Sequence, residues 1–226
     1  MKKLLAITAL FSLLFSSQTF AQQDPEAKKI LENLKTKYEA YGAFKITVNQ
    51  KMMNAKGTVM NDLSVKATVK GNKYILDLGD QIVYNNERKI WRHLVEDQEV
   101  YIYNNNSEEE GEEMFQSPTK LFNMHKNGFK YTKSGTETVA GARCNVIELA
   151  PTKTDKFQFF KVRLYVSTSD NMLKQWTVFE KDPDTLEIIR YKYAITKFTP
   201  NLKLTDGSFT FDQSKFEDVE VIDMTE

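Results

Sequence analysis

The sequence predicts an α+β fold with a single curled antiparallel sheet of about 11 strands, an incomplete β-barrel whose concave face is covered by helices. Two observations predict this fold. From residue 43 onwards, apolar and polar side chains alternate with the period of two that marks a half-buried strand, and turn residues interrupt the alternation at short intervals. Two other stretches space their apolar residues as in an amphipathic helix. Because about 11 strands exceed what a flat twisted sheet usually holds, we expect the sheet to curl.

Residues 1–21 have the pattern of a signal peptide. Lys2 and Lys3 form a basic start, and residues 4–15 are an apolar core too short to span a bilayer. The cleavage site is expected after Ala21, where small residues occupy the required positions. Residues 22–226 are therefore expected to form one exported, soluble, periplasmic domain. Gln22, in place of a cysteine, argues against a lipid-anchored lipoprotein.

The first helix is predicted over residues 24–41. Asp24 is its cap, and Pro25 suits the first helical position. Its apolar face consists of Ala27, Ile30, Leu31, Leu34, Tyr38 and Tyr41. Two interpretations remain open: the helix fills the core of the sheet, or it closes one mouth of a cavity.

Six short strands are predicted between residues 43 and 103, separated by tight turns. The acidic stretch over residues 104–113 then indicates a solvated loop or, alternatively, a docking patch for a basic partner. Ser117 and Pro118 begin a second, short helix with Leu121, Phe122 and Met124 on its apolar face. A helix this short is marginal alone, so it must pack on the sheet.

The second half of the sheet is predicted from strands over residues 129–138 and 143–150 and a three-stranded meander over residues 158–198. The residues expected on the buried face of this meander are Phe160, Val162, Leu164 and Val166 in its first strand and Ile189, Tyr191, Tyr193 and Ile195 in its third. A final short strand and an anchored tail are predicted around Phe209, Phe211 and Phe216.

The composition disfavours several classes of function. Lys plus Arg equals Asp plus Glu at 31 each, so the chain lacks the basic excess that nucleic-acid binding needs. His93 and His125 stand apart in the sequence, with no metal-ligand spacing around them, and no nucleophile elbow or phosphate-binding loop occurs. Cys144, the single cysteine, is expected to be a buried structural thiol or, alternatively, a reactive or intermolecular one. We therefore expect no enzyme activity, cofactor or metal, although a hydrolase with an unrecognised site stays open.

A large aromatic sheet with two apolar helices suggests binding. A pocket between them would suit an acyl chain, which gains about 0.8 kcal/mol for each buried CH₂. The residues alone favour the other interpretation, in which the helices and the sheet fill each other and the protein is an interaction or structural domain with a packed core.

Four segments resemble the periplasmic outer-membrane lipoprotein carrier family (LolA-like). They are the opening helix with residues 43–48, the aromatic strand pair at residues 73–77 and 89–91, the short helix at residues 117–122, and the Phe-rich residues 208–212. The resemblance implies a monomeric carrier that takes acylated lipoproteins from an inner-membrane ABC-type lipoprotein-releasing complex to an outer-membrane acceptor. A general lipid-binding protein of the same fold is the alternative.

The resemblance also implies which residues hold the acyl chains, between the concave face and the lid helices. By position these are Leu31, Leu34, Tyr74, Leu76, Ile90, Leu121, Phe122 and Met124. The family often latches its lid with an arginine shortly before the aromatic strand, and this sequence has Lys70 and Lys73 there instead. Because lysine lacks the planar fork of arginine, the latch is expected to differ.

Overall fold

The structure is a computed structural model that describes residues 23–105, 118–126, 128–154 and 157–225. The predicted signal peptide and nearly all of the predicted acidic loop lie outside these residues. The described α-helices are α1 (Pro25–Glu39) and α2 (Pro118–Asn123). The strands are β1 (Ala43–Met53), β2 (Val59–Lys70), β3 (Lys73–Asp77), β4 (Gln81–Asn85), β5 (Lys89–Leu94), β6 (Glu99–Asn104), β7 (Phe129–Val139), β8 (Ala142–Pro151), β9 (Phe159–Ser167), β10 (Leu173–Lys181), β11 (Ile188–Thr199) and β12 (Glu220–Asp223).

The described strands form one sheet with the order β12-β6-β5-β4-β3-β2-β1-β11-β10-β9-β8-β7. The sheet is curled but not closed, because β12 and β7 end the order without pairing to each other. The predicted fold class is therefore confirmed, with 12 strands in place of about 11. One pair departs from the antiparallel pattern, since β12 runs parallel to β6.

The pairing of β1 with β11 joins the two halves of the chain. Val48 lies opposite Ile195, and Met52 lies opposite Tyr191. Apart from β12, which pairs with β6 from far along the chain, each half of the sheet is built from strands that follow one another in sequence and pair as neighbours. The β1–β11 ladder therefore turns two separate meanders into one continuous sheet.

Helix α1 begins as its sequence predicts. Asp24 accepts hydrogen bonds through Oδ1 from the backbone N–H groups of Glu26 (2.8 Å) and Ala27 (3.2 Å), which are unsatisfied in the first turn. Its Oδ2 accepts one from the Lys133 N–H (2.9 Å) on the edge strand β7. One carboxylate thus caps α1 and fixes it to the sheet. Residues Ala27, Ile30, Leu31, Leu34 and Tyr38 are buried against the sheet.

Two details of the predicted strands are wrong. Phe160 does not face the core, because a β-bulge opposite Phe179 and Glu180 leaves Phe160 without a paired residue and places Phe159 inside at 3% exposed. The Phe160 ring instead packs near Phe179, with 6.3 Å between ring centroids.

The Phe-rich stretch near the end of the chain is also not a strand. It forms 3₁₀ turns at Asp206–Phe209 and Gln213–Lys215, and the final strand is β12. Asp212 caps the second turn by accepting from the Ser214 N–H, which is turn chemistry that competes with strand pairing. The phenylalanines anchor this tail: Phe211 stacks on Phe216 at 5.0 Å and packs with Trp91 and Val100, on the side of the sheet opposite Ile90.

Candidate functional site

An apolar cavity of about 310 Å³ lies between the sheet and α2. Its sheet wall begins with Ile46 and Val48 of β1, which alternate inward along that strand. The neighbouring strands add Val65 and Ala67 of β2 and Leu76 of β3. Because these residues come from adjacent strands and share one face, they form a continuous apolar surface.

Four side chains of β10 and β11 extend this wall. Trp176, Tyr191, Tyr193 and Ile195 line the cavity, and the Trp176 and Tyr193 rings stack with centroids 4.8 Å apart and planes 4° apart. The Trp176 Nε1 is buried and has no hydrogen-bond partner among the described residues. Burial of a donor without a partner costs about 1–3 kcal/mol.

The lid side of the cavity is formed by α2. Leu121 and Phe122 line it and are themselves 4% and 5% exposed. The Phe122 ring stacks on Tyr38 of α1 at 4.2 Å between centroids, and Tyr38 in turn packs edge-on against Phe44 and Phe198. An aromatic cluster that spans α1, α2 and the sheet therefore holds α2 over the cavity.

The polar lining residues are also the more accessible ones. Gln158 is exposed, and Gln50 and Glu180 are half-buried. Burial raises the pKa of Tyr191, and the nearby Glu180 carboxylate adds to the effect. The tyrosine lining is therefore neutral at physiological pH, and Glu180 is the one acidic or basic side chain among the described residues that line the cavity.

Three of the eight residues expected to contact acyl chains line the cavity: Leu76, Leu121 and Phe122. The other five are buried in the same core without lining it: Leu31, Leu34, Tyr74, Ile90 and Met124. The acyl-binding role of all eight stays a prediction.

Sequence reasoning did not assign the lining residues of β1, β2, β10 and β11 to the site. The alternation of apolar and polar residues is visible in the sequence, which predicts Tyr191, Tyr193 and Ile195 on one buried face. What the sequence does not contain is the β1–β11 pairing, which brings Val48 opposite Ile195 and places both in one wall.

Lys70 and Lys73 bind the C-terminal tail instead of α2. The Asp206 carboxylate lies 2.9 Å from Lys70 Nζ and 2.7 Å from Lys73 Nζ, and Lys70 also donates to the Leu204 carbonyl at 3.0 Å. The hydrogen bond from Lys73, and next the one from Lys70, lower the pKa of Asp206 to about 2. The two lysines therefore fasten the tail beside the β2–β3 turn.

Other kinds of site find no support in the described part of the chain. No group of three or more His, Cys, Asp or Glu residues there could hold a metal ion. His93 and His125 are both buried, at 3% and 7% exposed, and burial raises the pKa of the Cys144 thiol. No helix among these residues has the length and apolar character needed to cross a membrane.

Comparison with solved structures finds similar chains in several bacteria. An uncharacterized conserved protein from Thermus thermophilus matches with a TM-score of 0.55 and 11% identity, over 88% of this chain and 99% of that one. A LolA superfamily protein from Nitrosomonas europaea matches with a TM-score of 0.43 and 14% identity, over 82% and 97%. The lipoprotein LppX of Mycobacterium tuberculosis matches with a TM-score of 0.41 and 13% identity, over 79% and 99%.

A search of curated proteins finds no match. A family model described as outer membrane lipoprotein carrier protein LolA matches residues 17–164. This match spans more than half of the chain and confirms the family that the four sequence segments indicated. The chain belongs to the outer membrane lipoprotein carrier protein LolA family.

Proposed function

We propose that this protein is an exported, periplasmic carrier that shields the acyl chains of lipoproteins on their way from the inner to the outer membrane. The observation that carries this proposal is the apolar cavity of about 310 Å³ between the sheet and α2. Membership of the family supports lipoproteins as the cargo. The proposed function involves no covalent step: the protein binds the acyl chains, shields them from water and releases them.

The size of the cavity sets what it holds without rearrangement. A methylene group is slightly smaller than a water molecule, whose share of liquid volume is about 30 Å³, so the cavity takes on the order of ten methylenes. At about 0.8 kcal/mol for each CH₂, such a segment gains about 8 kcal/mol on leaving water. A longer chain, or a second one, needs additional room, which outward movement of α2 would provide.

Helix α2 is suited to such movement. It is 6 residues long, and a helix of that length has little stability of its own. Its position depends on the burial of Leu121 and on the stacking of Phe122 on Tyr38. An acyl chain that replaces these contacts with its own can displace α2 at a small net cost, and this exchange would set the rate of loading and release.

The proposed partners follow from the family. They are an inner-membrane ABC-type lipoprotein-releasing complex that loads the cavity and an outer-membrane acceptor that empties it, with the carrier acting as a monomer. A general lipid-binding protein of the same fold is the second candidate. The pairing of Lys70 and Lys73 with Asp206 favours this second candidate. The two lysines stand where the family has its lid latch, but they hold the C-terminal tail and not α2.

Native mass spectrometry of the protein purified from its own periplasm, followed by denaturing lipid extraction, tests the proposal. Acylated polypeptide bound at near-stoichiometric amounts is the expected result. Phospholipid alone would support the general lipid-binding protein. A ligand-free mass, together with no binding of added acylated peptide, would contradict both and support a packed-core interaction domain.

A further inference from the structure

The face of the sheet opposite the apolar cavity carries a recess of about 230 Å³, and the described residues that line it are all lysines and threonines. It lies where β2, β1 and β11 run side by side, and its lining residues are Lys45, Thr47, Lys66, Lys197 and Thr199. The apolar cavity uses residues of alternate position on the same strands, such as Ile46 and Val48, so the two sites lie on opposite faces of one sheet.

The register brings the three lysines together. Thr47 lies opposite Lys66 on one side and Lys197 on the other, and Lys45 lies opposite Thr199. Lys45 is therefore on the diagonal of both other lysines, which places it about 7–8 Å from each at the backbone. Three lysine side chains therefore leave the same face of the sheet close together, and an anion bound between them would reduce their mutual repulsion.

In the part of the chain that the structure describes, one carboxylate pairs with these lysines. Lys66 Nζ lies 3.0 Å from the Asp77 carboxylate, at one side of the recess. Among the described residues, no carboxylate lies within ion-pair distance of Lys45 or Lys197. Since the chain as a whole has a formal net charge of zero, this is a local concentration of positive charge.

A β-bulge places Lys197 in the recess. The pairing of β1 with β11 shifts between Thr47 and Val48, which leaves Thr196 without an opposite residue. Strict alternation from the inward Ile195 would turn Lys197 toward the core and Phe198 outward. The bulge reverses this, so that Phe198 packs with Tyr38 and Lys197 lines the recess.

We propose that this recess binds a phosphate group. Ammonium groups and hydroxyls are the donors that a tetrahedral oxyanion accepts from, and charge-assisted hydrogen bonds of this kind are the strong ones. The phosphate is either free in solution or part of a phospholipid headgroup, and both sources present the same oxygen atoms. The site is independent of the carrier cavity, because the sheet separates them.

The test compares the wild-type protein with Lys45→Gln/Lys197→Gln. Isothermal titration with inorganic phosphate and co-sedimentation with phosphatidylcholine vesicles, with or without phosphatidylglycerol, are the two readouts. The matched control is Lys29→Gln/Lys56→Gln, which removes the same charge from two lysines outside the recess. All four lysines are exposed, so the two variants differ in whether the lysines are clustered. Thermal melting checks that both variants fold.

We expect Lys45→Gln/Lys197→Gln to weaken binding by at least about tenfold in one readout and the control to stay within about twofold of wild type, because isolated exposed charges contribute little. Loss confined to inorganic phosphate identifies a soluble phosphate ligand, and loss confined to vesicles with phosphatidylglycerol identifies a headgroup. The proposal is overturned if wild type binds neither probe, or if the control variant loses as much as Lys45→Gln/Lys197→Gln.

Discussion

Truncation of Phe122 tests whether α2 forms one wall of the binding site. The ring lines the cavity on one side and stacks on Tyr38 on the other. Full burial of such a side chain is worth about 1.5–3 kcal/mol, and a bound chain would contact only the half that faces the cavity. We therefore expect Phe122→Ala to weaken binding of a fluorescent fatty acid by about 1.4 kcal/mol, which is about tenfold in Kd.

The matched control is Phe211→Ala, which makes the same truncation in the cluster on the opposite face. Phe211 is 9% exposed, close to the 5% of Phe122, and does not line the cavity. We expect it to cost about 3–5 kcal/mol of stability, as buried Phe→Ala changes do, and to leave the Kd unchanged. If Phe122→Ala also lowers the melting temperature but leaves the Kd at the wild-type value, α2 does not cover the ligand and the site assignment is refuted.

Two further predictions concern the tail and its charges. Because Lys73 and Lys70 lower the pKa of Asp206 to about 2, the ionised carboxylate stabilises the fold above its ordinary pKa of 3.8, and this contribution is lost as the pH falls through about 2. Asp206→Asn should therefore lower the melting temperature at neutral pH, and its difference from wild type should vanish toward pH 2; a constant difference would contradict this. Burial lowers the pKa of His93, so the fold has its full stability above the ordinary pKa of 6.5 and loses stability as the pH falls. The free energy of unfolding can be measured by chemical denaturation at about pH 7.5 and about pH 5.5, on either side of that ordinary pKa. Between these two pH values it should fall less in His93→Phe than in wild type; an equal fall in both proteins would show that His93 is not responsible.

The local elements were predictable because their causes are local. Asp24 caps the first turn of α1, and Pro25 has a fixed φ that suits the first helical position. Both effects act within one turn, so they do not depend on where the helix packs. The alternation along residues 43–53 gives β1 its buried face, whichever strand pairs with it. The fold class follows from the sum of such elements, since many short strands with tight turns have few ways to bury one apolar face.

The errors occur where a contact between distant residues overrides the local pattern. Phe160 alternates correctly with its neighbours, yet the bulge opposite Phe179 and Glu180 turns it away from the core. Phe209 and Phe211 have strand spacing, yet they are buried, at 0% and 9% exposed, in a tail built from 3₁₀ turns.

The sequence by itself determined the helices, most strands and the fold class, because periodicity, capping and turn chemistry act over a few residues. The family was indicated by the resemblance of four segments. Only the tertiary structure decided which apolar faces meet. Val48 and Ile195 are far apart in sequence and become neighbours in one ladder, and the cavity wall and the lysine recess both arise from that pairing. A period of two shows that a strand has two faces, but it cannot show which strand lies beside it, and the sites of this protein are built between strands.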